Sequence, residues 1–276
     1  MIGKLKSVVL MLVCLITVSH AHNDKQLVGI IHNVSLEQSP VKEPPVISTT
    51  DYRLVELDIK QLRRELTMSS ANYSIKDEEF IIELPLPDGA MRLYQIKANQ
   101  VLHPDLAVQF PQIKTFDGYA VDNEHELVKL DITPKGFHAM ILSPGRSPIY
   151  IDPYNSKKPN FYMSYAKNNF ITNKKMTCSV SQSSFLESDN KQHAALGIFQ
   201  SCYLRTYRLA LAATAQYTQF HGGTKVNALA AQATTINRVN GIYETEMAVT
   251  LQIIPNNADI IYTNSKKQPY TSGKAE

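Results

Sequence analysis

The sequence has no large excess of charge of either sign. Its 28 lysine and arginine residues are nearly balanced by 25 aspartate and glutamate residues, which gives a formal net charge of +3 over 276 residues. Domains that bind nucleic acid usually carry a strongly basic face, so we expect no nucleic-acid partner. The hydrophobic content of 43% instead predicts a packed core, in one large domain or two medium ones.

Long hydrophobic runs are missing beyond the N-terminus. The run at 8–18 follows Lys4 and Lys6 and precedes small residues ending at Ala21, which is the layout of a secretory signal peptide. The run is too short to cross a membrane comfortably. We therefore predict a signal peptide at 1–21, cleavage after Ala21, and an exported protein, extracellular or periplasmic, without a membrane span.

Cysteine is scarce, with three residues in the chain. Cys14 lies inside the signal peptide, and Val13 stands where a lipoprotein signal has a small residue, so we expect no lipid anchor. Export leaves Cys178 and Cys202 in an oxidising compartment. Two cysteines that flank one segment there most simply form a disulfide.

Motifs for nucleotide binding and for serine hydrolysis are also missing. The turn at 214–223 has neither the G-x-G-x-x-G spacing nor the lysine of a P-loop, so backbone and lysine cannot hold phosphates there. No G-x-S-x-G nucleophile elbow occurs. Asp117, Asp122 and Glu126 are scattered along the sequence and predict no pair of catalytic carboxylates.

The most organised stretch of the chain is 204–254. Two apolar segments of strand length flank a polar turn and a long helical pattern, which predicts two parallel strands joined by a right-handed crossover. Thr224 follows two glycines and is the predicted N-cap. The predicted buried stripe of the helix consists of Val226, Leu229, Ala230, Ala233, Ile236, Val239, Asn240 and Tyr243. Three residues are predicted to lie off this stripe: Gln232, Thr235 and Arg238.

Residues 79–165 carry the signals of β-structure. We predict a hairpin from 80–84 and 91–96 with its turn near Asp88 and Gly89. Further strands are predicted at 115–120, 127–132, 136–141 and 149–151. Upstream we predict a strand that leads into a short helix at 60–66, and a flexible polar lead-in at 22–50. Closely spaced strands without long helices predict an antiparallel sheet that is sandwich-like or strongly curved.

Several phrases of the sequence carry a resemblance to a known family. They are Tyr207-Arg-Leu-Ala-Leu-Ala-Ala-Thr214, His221-Gly-Gly223 and Arg238-Val-Asn-Gly-Ile-Tyr243, with Glu83-Leu-Pro-Leu-Pro-Asp-Gly89 and Tyr150-Ile-Asp-Pro-Tyr154 upstream. The chain from about 80 to 263 resembles the secreted bacterial reprolysin-like zinc metallopeptidases, which are adamalysin-type metzincins. The upstream phrases resemble the propeptide of these enzymes, and the downstream phrases resemble the start of their catalytic domain.

The resemblance implies an α+β chain: a β-rich antiparallel propeptide-like domain at 51–175, a linker at 176–202, and the incomplete βαβ start of a metzincin domain at 203–276. It implies zinc for the full-length family member and protein or peptide substrates. It also gives Cys178 a second interpretation, a cysteine switch whose thiolate takes the place of the zinc-bound water. Thr177 interrupts the usual spacing of such a switch, so a disulfide with Cys202 is the preferred prediction.

The zinc motif of metzincins, H-E-x-x-H-x-x-G-x-x-H, does not occur in the sequence. His125 and Glu126 begin like it, but Lys129 stands where the second histidine is required, and a cation cannot bind zinc. We therefore predict a solvent-facing His–Glu pair at this position. His138 and His221 have no H-x-x-x-H partner and are predicted to pack or to cap. We predict no catalytic, cofactor-binding or metal-binding residue in this chain.

The favoured hypothesis is an inactive, truncated N-terminal portion of a secreted zinc metalloendopeptidase precursor. A two-stranded unit at the end of a chain would leave a sheet edge unpaired and could not cover both of its faces, which suggests missing neighbours. Two alternatives stay open. One is a secreted, non-enzymatic, β-rich binding or adhesion module, and the other is a free propeptide-like protease inhibitor.

Overall fold

The structure is a computed structural model that describes residues 25–27, 29–35, 41, 43–70, 79–172 and 203–270. The predicted signal peptide, its cleavage site at Ala21, the linker at 176–202 and both Cys178 and Cys202 lie outside the described residues. The chain is α+β, with a large and mostly antiparallel sheet followed by a smaller α/β unit.

The large sheet has ten strands. They are β1 (Lys25–Leu27), β2 (Ile31–Asn33), β3 (Arg53–Leu57), β4 (Glu79–Pro85), β5 (Met91–Ala98), β6 (Lys114–Ala120), β7 (Asn123–Thr133), β8 (Gly136–Leu142), β9 (Ile149–Pro153) and β10 (Phe161–Ala166). Their spatial order is β1-β4-β5-β6-β7-β8-β9-β10-β3-β2. The pairing of β1 with β4 is parallel, and the other neighbouring pairs are antiparallel.

The two edges of this sheet lie close together. β1 and β2 occupy opposite edges, yet only Val28, Gly29 and Ile30 separate them in the chain, so the sheet curls into a nearly closed cylinder. Arg53 of β3 joins the edges, because its guanidinium donates to Asn33 Oδ1 at 2.7 Å and to the Leu86 carbonyl at 2.9 Å. Large side chains fill the interior, among them Phe116, Phe137, Tyr94 and Tyr162.

The predicted hairpin is confirmed as β4 and β5, and the four further predicted strands are confirmed as β6 to β9. The strand leading into a helix is β3 followed by helix α1 (Ile59–Ser70), whose Leu62 and Leu66 are fully buried. Two predictions need correction. The lead-in at 22–50 supplies β1 and β2, and β10 was missed. Strands β1 and β2 have three residues each, so their pairing with distant strands defines them more than local pattern does.

The C-terminal unit contains β11 (Arg205–Leu209), helix α3 (Ala215–Phe220), helix α4 (Lys225–Met247) and β12 (Val249–Ile253). A short helix α2 (Pro104–Gln109) precedes β6 in the sheet domain. The predicted parallel pairing of the two strands is confirmed, with Arg205 opposite Val249. The predicted N-cap is also confirmed, since Thr224 Oγ1 accepts from the Asn227 amide at 3.2 Å. Helix α3 was not predicted.

Helix α4 is buried on more than the predicted stripe. Leu229, Ala233, Ile236 and Asn240 are buried as expected, but the prediction that Gln232 lies off the stripe was wrong. Its amide donates to the Leu211 carbonyl at 2.8 Å and accepts from the Asn257 amide at 3.1 Å, so it is buried with its hydrogen bonds satisfied. Val226 and Val239 are only partly buried, and Tyr243 is 38% exposed. The hydrophobic stripe alone therefore does not describe the burial of this helix.

The core of the C-terminal unit is completed by the sheet domain. Val101, Leu102, Leu106 and Ile113 come from the segment between β5 and β6. They pack in one cluster with Ala213, Ala228, Leu229, Ala230, Ala233, Ile236, Ile253 and Ile261 of the C-terminal unit. Among the residues that the structure describes, no helix is long and apolar enough to cross a membrane.

Candidate functional site

The candidate site is the interface where helix α4 lies on the outer face of the sheet. Along β7, Val128, Leu130 and Ile132 point into the cylinder, so Lys129 and Asp131 point outward. Lys129 and Asp131 are nevertheless only 4% and 1% exposed. Charged residues on the outer face of a sheet stay buried only when another element covers them, and here that element is α4. We call this contact the helix interface.

Arg238 of α4 is one of the two cations of the helix interface described here. Its Nη2 donates to Asp152 Oδ1 at 2.6 Å, and its guanidinium carbon lies 4.9 Å from the centre of the Tyr150 ring. Tyr165 donates to the other oxygen of Asp152 at 2.9 Å. Burial works against the charged guanidinium, but the Asp152 carboxylate outweighs it, so the pKa of Arg238 lies above its ordinary value.

Burial also shapes the ionisation of the tyrosines around Asp152. Burial, followed by the charge and the hydrogen bond of Asp152, raises the pKa of Tyr165. Burial raises the pKa of Tyr150 as well, although Arg238 acts in the opposite direction. Both phenols are therefore neutral at physiological pH, and Tyr165 is available as a hydrogen-bond donor to Asp152.

A second carboxylate, Asp131, is shared between the sheet and the helix. Its Oδ1 accepts from Thr234 Oγ1 of α4 at 2.8 Å and lies 3.0 Å from Nδ1 of His138. Asp131 and His138 are opposite one another in the β7–β8 register. The Asp131 carboxylate is therefore held between its own sheet and the helix that covers it.

Asn237 of α4 is fully buried and bonds to two parts of the sheet domain. Its Nδ2 donates to the Leu130 carbonyl at 2.9 Å, and its Oδ1 accepts from Asn99 Nδ2 at 2.9 Å. A side-chain amide that donates and accepts in this way fixes both the position and the rotation of the helix. Asn237 thus supplies a directional contact that apolar packing could not.

The helix approaches the sheet most closely at Gly241. A Cβ atom there would meet Met140 Cε at 2.9 Å, Lys129 Cγ at 3.0 Å and Leu142 Cδ1 at 3.2 Å. One turn later, Glu244 accepts from Lys129 Nζ at 2.5 Å. Lys129 Nζ also lies 3.3 Å from Asp117 Oδ2. The missing side chain at Gly241 therefore allows the helix to reach the buried ammonium group.

A cavity opens beside this lysine. It has a volume of about 300 Å³ and is lined in part by Asp117, Lys129, Glu244 and Glu79. A smaller cavity of about 170 Å³ adjoins it, because Asp117 and Glu244 line both. One carboxylate oxygen of Asp117 is buried there without a hydrogen-bond partner. The cavities lie along the helix interface rather than inside either core.

The outer edge of β12 is occupied by the sheet domain and by α4. The Ile253 amide donates to the Val101 carbonyl at 2.8 Å, and the His103 amide donates to the Ile253 carbonyl at 2.9 Å. At Leu251, the Asn240 side chain accepts from the amide at 2.8 Å and donates to the carbonyl at 2.9 Å. The expectation of an unpaired edge and uncovered faces is therefore corrected for β12 and for α4. Among the described strands, β11 pairs with β12 alone.

His125 and Glu126, which begin the incomplete zinc motif, lie in different environments. His125 is exposed, but the prediction of a solvent-facing His–Glu pair is wrong for Glu126, which is 4% exposed. Glu126 accepts from the hydroxyls of Tyr94 at 2.5 Å and Ser143 at 2.6 Å, and it lies 3.2 Å from Arg92. Burial, then the hydrogen bond to Glu126, raises the pKa of Tyr94. Glu126 is fully engaged in the structure and is not available to a metal.

Three acidic residues that were predicted to be scattered fall into two groups. Asp122 and Glu126 are bridged by Arg92, which lies 3.0 Å from Asp122 and 3.2 Å from Glu126. Asp117 belongs to the helix interface through Lys129. Both groups are ion pairs with a cation between or beside the carboxylates.

His221 caps and packs, in agreement with its prediction. It lies at the C-cap of α3, and its ring centroid is 4.4 Å from that of Tyr217 and 5.0 Å from that of Phe220. Burial, and then the charge of Lys135, lowers the pKa of His221. Lys135 Nζ donates to the His221 carbonyl at 3.2 Å, which is a further contact between the sheet domain and the C-terminal unit.

The described part of the chain contains no suitable set of metal-binding side chains. No group of three or more histidine, cysteine, aspartate and glutamate side chains in it is placed to hold a metal ion. A catalytic zinc site needs three protein ligands, commonly histidines on one helix face. The described residues therefore do not fit a zinc ion, and no zinc chemistry is assigned to them.

The sequence carried only indirect signals for the helix interface. Arg238 was predicted to lie off the buried stripe, whereas it contacts Asp152 and Tyr150 across the interface. Arg238 lies in the Arg238-Val-Asn-Gly-Ile-Tyr243 phrase, and both partners lie in Tyr150-Ile-Asp-Pro-Tyr154. The two phrases were recognised separately, and nothing in either one indicated that they meet.

A comparison with known families relates the C-terminal unit to metallopeptidases. Residues 204–275 match the family model described as Metallo-peptidase family M12B Reprolysin-like. The matched region begins one residue before β11 and includes α3, α4 and β12. No curated protein matches the chain.

Proposed function

We propose that this chain is the N-terminal portion of a secreted zinc metalloendopeptidase precursor. In this proposal the sheet domain is a propeptide, and the unit that starts at β11 is the beginning of the peptidase domain. The zinc ligands and the catalytic glutamate would lie in sequence beyond Glu276, and protein or peptide chains would be the substrates. The 276-residue chain itself is expected to be inactive.

One observation supports the proposal more than any other. The region that matches the metallopeptidase family is the same region whose core and strand edge are completed by the upstream sheet domain. Leu106 and Ile113 pack in the core of the C-terminal unit, and Val101 and His103 bond to Ile253. A propeptide that supports the first elements of a protease domain would make contacts of this kind.

The test of the proposal is the coding sequence downstream of the codon for Glu276. We expect an in-frame H-E-x-x-H-x-x-G-x-x-H motif, and we expect the longer protein to bind one zinc ion per chain and to cleave a protein substrate after processing. The matched control replaces the glutamate of that motif by glutamine, which should abolish cleavage and retain zinc. An in-frame stop codon, or a longer product without zinc, would overturn the proposal.

Export and processing have their own readouts. N-terminal sequencing of the secreted protein should begin at His22, because cleavage is predicted after Ala21. Intact-mass measurement before and after reduction distinguishes the two hypotheses for Cys178 and Cys202. A disulfide lowers the mass by two hydrogen atoms per chain, whereas a cysteine switch leaves a free thiol at Cys178.

A further inference from the structure

We propose that the outer face of the sheet is a receptor for helix α4 that holds the C-terminal unit without a covalent connection. A cut within 173–202 would then leave the two parts bound to one another. The binding follows from the geometry of the helix interface. The consequence for activation of a precursor is that one cut does not release the peptidase domain. This consequence alone rests on the proposed function.

Charge complementarity is the first argument. The sheet presents the carboxylates of Asp152 and Asp131, and the helix presents Arg238 and the hydroxyl of Thr234 to them. The order of charge is reversed six residues later, where the sheet presents Lys129 and the helix presents Glu244. This alternation favours one direction and one register of the helix, because a displaced helix would leave buried charges unpaired.

Shape is the second argument. Gly241 brings the helix backbone so close to Met140, Lys129 and Leu142 that a Cβ atom would fit only if these side chains shifted. Asn237, one turn earlier, is fully buried and bonds to Leu130. The recognised element is therefore the stretch from Asn237 to Glu244, with a glycine at the closest approach and polar groups on either side of it.

The incompleteness of the C-terminal unit is the third argument. Its hydrophobic core includes Val101, Leu102, Leu106 and Ile113 of the sheet domain. Dissociation would expose these side chains and would also remove the hydrogen bonds of Val101 and His103 to Ile253. Separation of the two parts therefore costs buried apolar area and paired backbone groups together, which favours the bound state.

The connecting segment is not needed for any of these contacts. The interface contacts given above are made by residues of 99–165 and of 206–261, and the two ranges lie on opposite sides of 173–202 in the chain. Residues 179–192 lie inside the linker predicted at 176–202 and are rich in serine, glutamine and asparagine. A cut there would remove the tether and leave the described contacts in place.

The experiment uses the full chain with a site-specific protease sequence in place of 183–189. All variants carry Cys178→Ser and Cys202→Ser, so that no disulfide can hold the fragments together. After complete cleavage, gel filtration at micromolar concentration should yield one peak that contains both fragments. Two separate peaks, with the sheet fragment still folded by circular dichroism, would overturn the proposal. The zinc motif plays no part in this readout, so its failure is distinguishable from failure of the proposed function.

Variants test whether the helix interface is the cause of association. Arg238→Ala should raise the dissociation constant of the cut chain by roughly 30-fold or more, because Asp152 stays buried without its cation. The matched control is Arg208→Ala on the exposed strand β11, which should leave the constant unchanged. If Arg238→Ala fails to fold, Gly241→Leu and Lys129→Met give the same test. Association that none of the interface variants weakens would contradict the assignment.

Discussion

Arg238 and Asp152 are 86 residues apart in sequence and are joined by a 2.6 Å hydrogen bond between helix α4 and strand β9. The side chain of Asp152 is 5% exposed and that of Arg238 is 25% exposed. The pair therefore links the sheet domain to the C-terminal unit at a position from which water is largely excluded. Separation of the two parts would leave the Asp152 carboxylate without this cation.

Removal of the Arg238 guanidinium should destabilise the whole chain. Arg238→Ala leaves Asp152 buried without its cation, so we expect the free energy of unfolding to fall by about 3–5 kcal/mol. Urea denaturation followed by circular dichroism measures this change. Arg208→Ala is the control, because its side chain is exposed on β11, and it should change the free energy by less than about 0.5 kcal/mol. Equal effects of the two variants would exclude a special role for Arg238.

Asn240 should stabilise the outer edge of β12. Its side chain bonds to both backbone groups of Leu251, so Asn240→Ala leaves a donor and an acceptor without partners and should cost about 1–3 kcal/mol. Asn240→Asp is the informative comparison. The carboxylate can accept from the Leu251 amide but repels its carbonyl, so it should restore only part of the loss. Full stability of the aspartate variant would show that the bond to the carbonyl contributes nothing.

The His221 ring should make stability depend on pH in the acidic range. Burial and Lys135 lower its pKa in the folded protein below the ordinary value of 6.5. The unfolded chain therefore binds the proton more readily. The contribution of the neutral His221 ring to stability is complete above pH 6.5, and it is lost as the pH falls through the pKa of His221 in the folded protein. His221→Gln should lack this loss when unfolding free energies are compared across that range.

NMR titration of the His221 ring gives a direct control for this sign. Lys135→Gln removes the second cause of the shift, so the pKa of His221 should move toward 6.5 in that variant. A titration midpoint at or above 6.5 in the unmodified chain would contradict the assignment.

Local pattern was sufficient for most of the regular structure. The turn around Asp88 and Gly89 with alternating residues on both sides predicted the β4–β5 hairpin, and Thr224 marked the start of α4. Strands β1 and β2 were not predicted, because a strand of three residues acquires its identity from the strand it pairs with. Such pairings are non-local and leave little trace in a single sequence.

The helix interface could not be predicted because it buries polar and charged side chains, which are usually exposed. Arg238 and Gln232 were predicted to lie off the buried stripe of α4, and charged and amide side chains are mostly exposed. Both are instead paired, Arg238 with Asp152 and Gln232 with Asn257. Glu126 was misjudged for the same reason. A single sequence gives the type of each side chain but does not identify its partner.

The central claim is that the sheet domain and the C-terminal unit form one continuous structure, and hydrogen exchange at Ile253 and His103 tests it most directly. Each amide donates across the boundary, the first to the Val101 carbonyl and the second to the Ile253 carbonyl. We predict that both amides exchange as slowly as those of strands β6 and β7, far more slowly than the exposed turn at Gly145. Exchange at the rate of that turn, while β6 and β7 remain protected, would contradict the account.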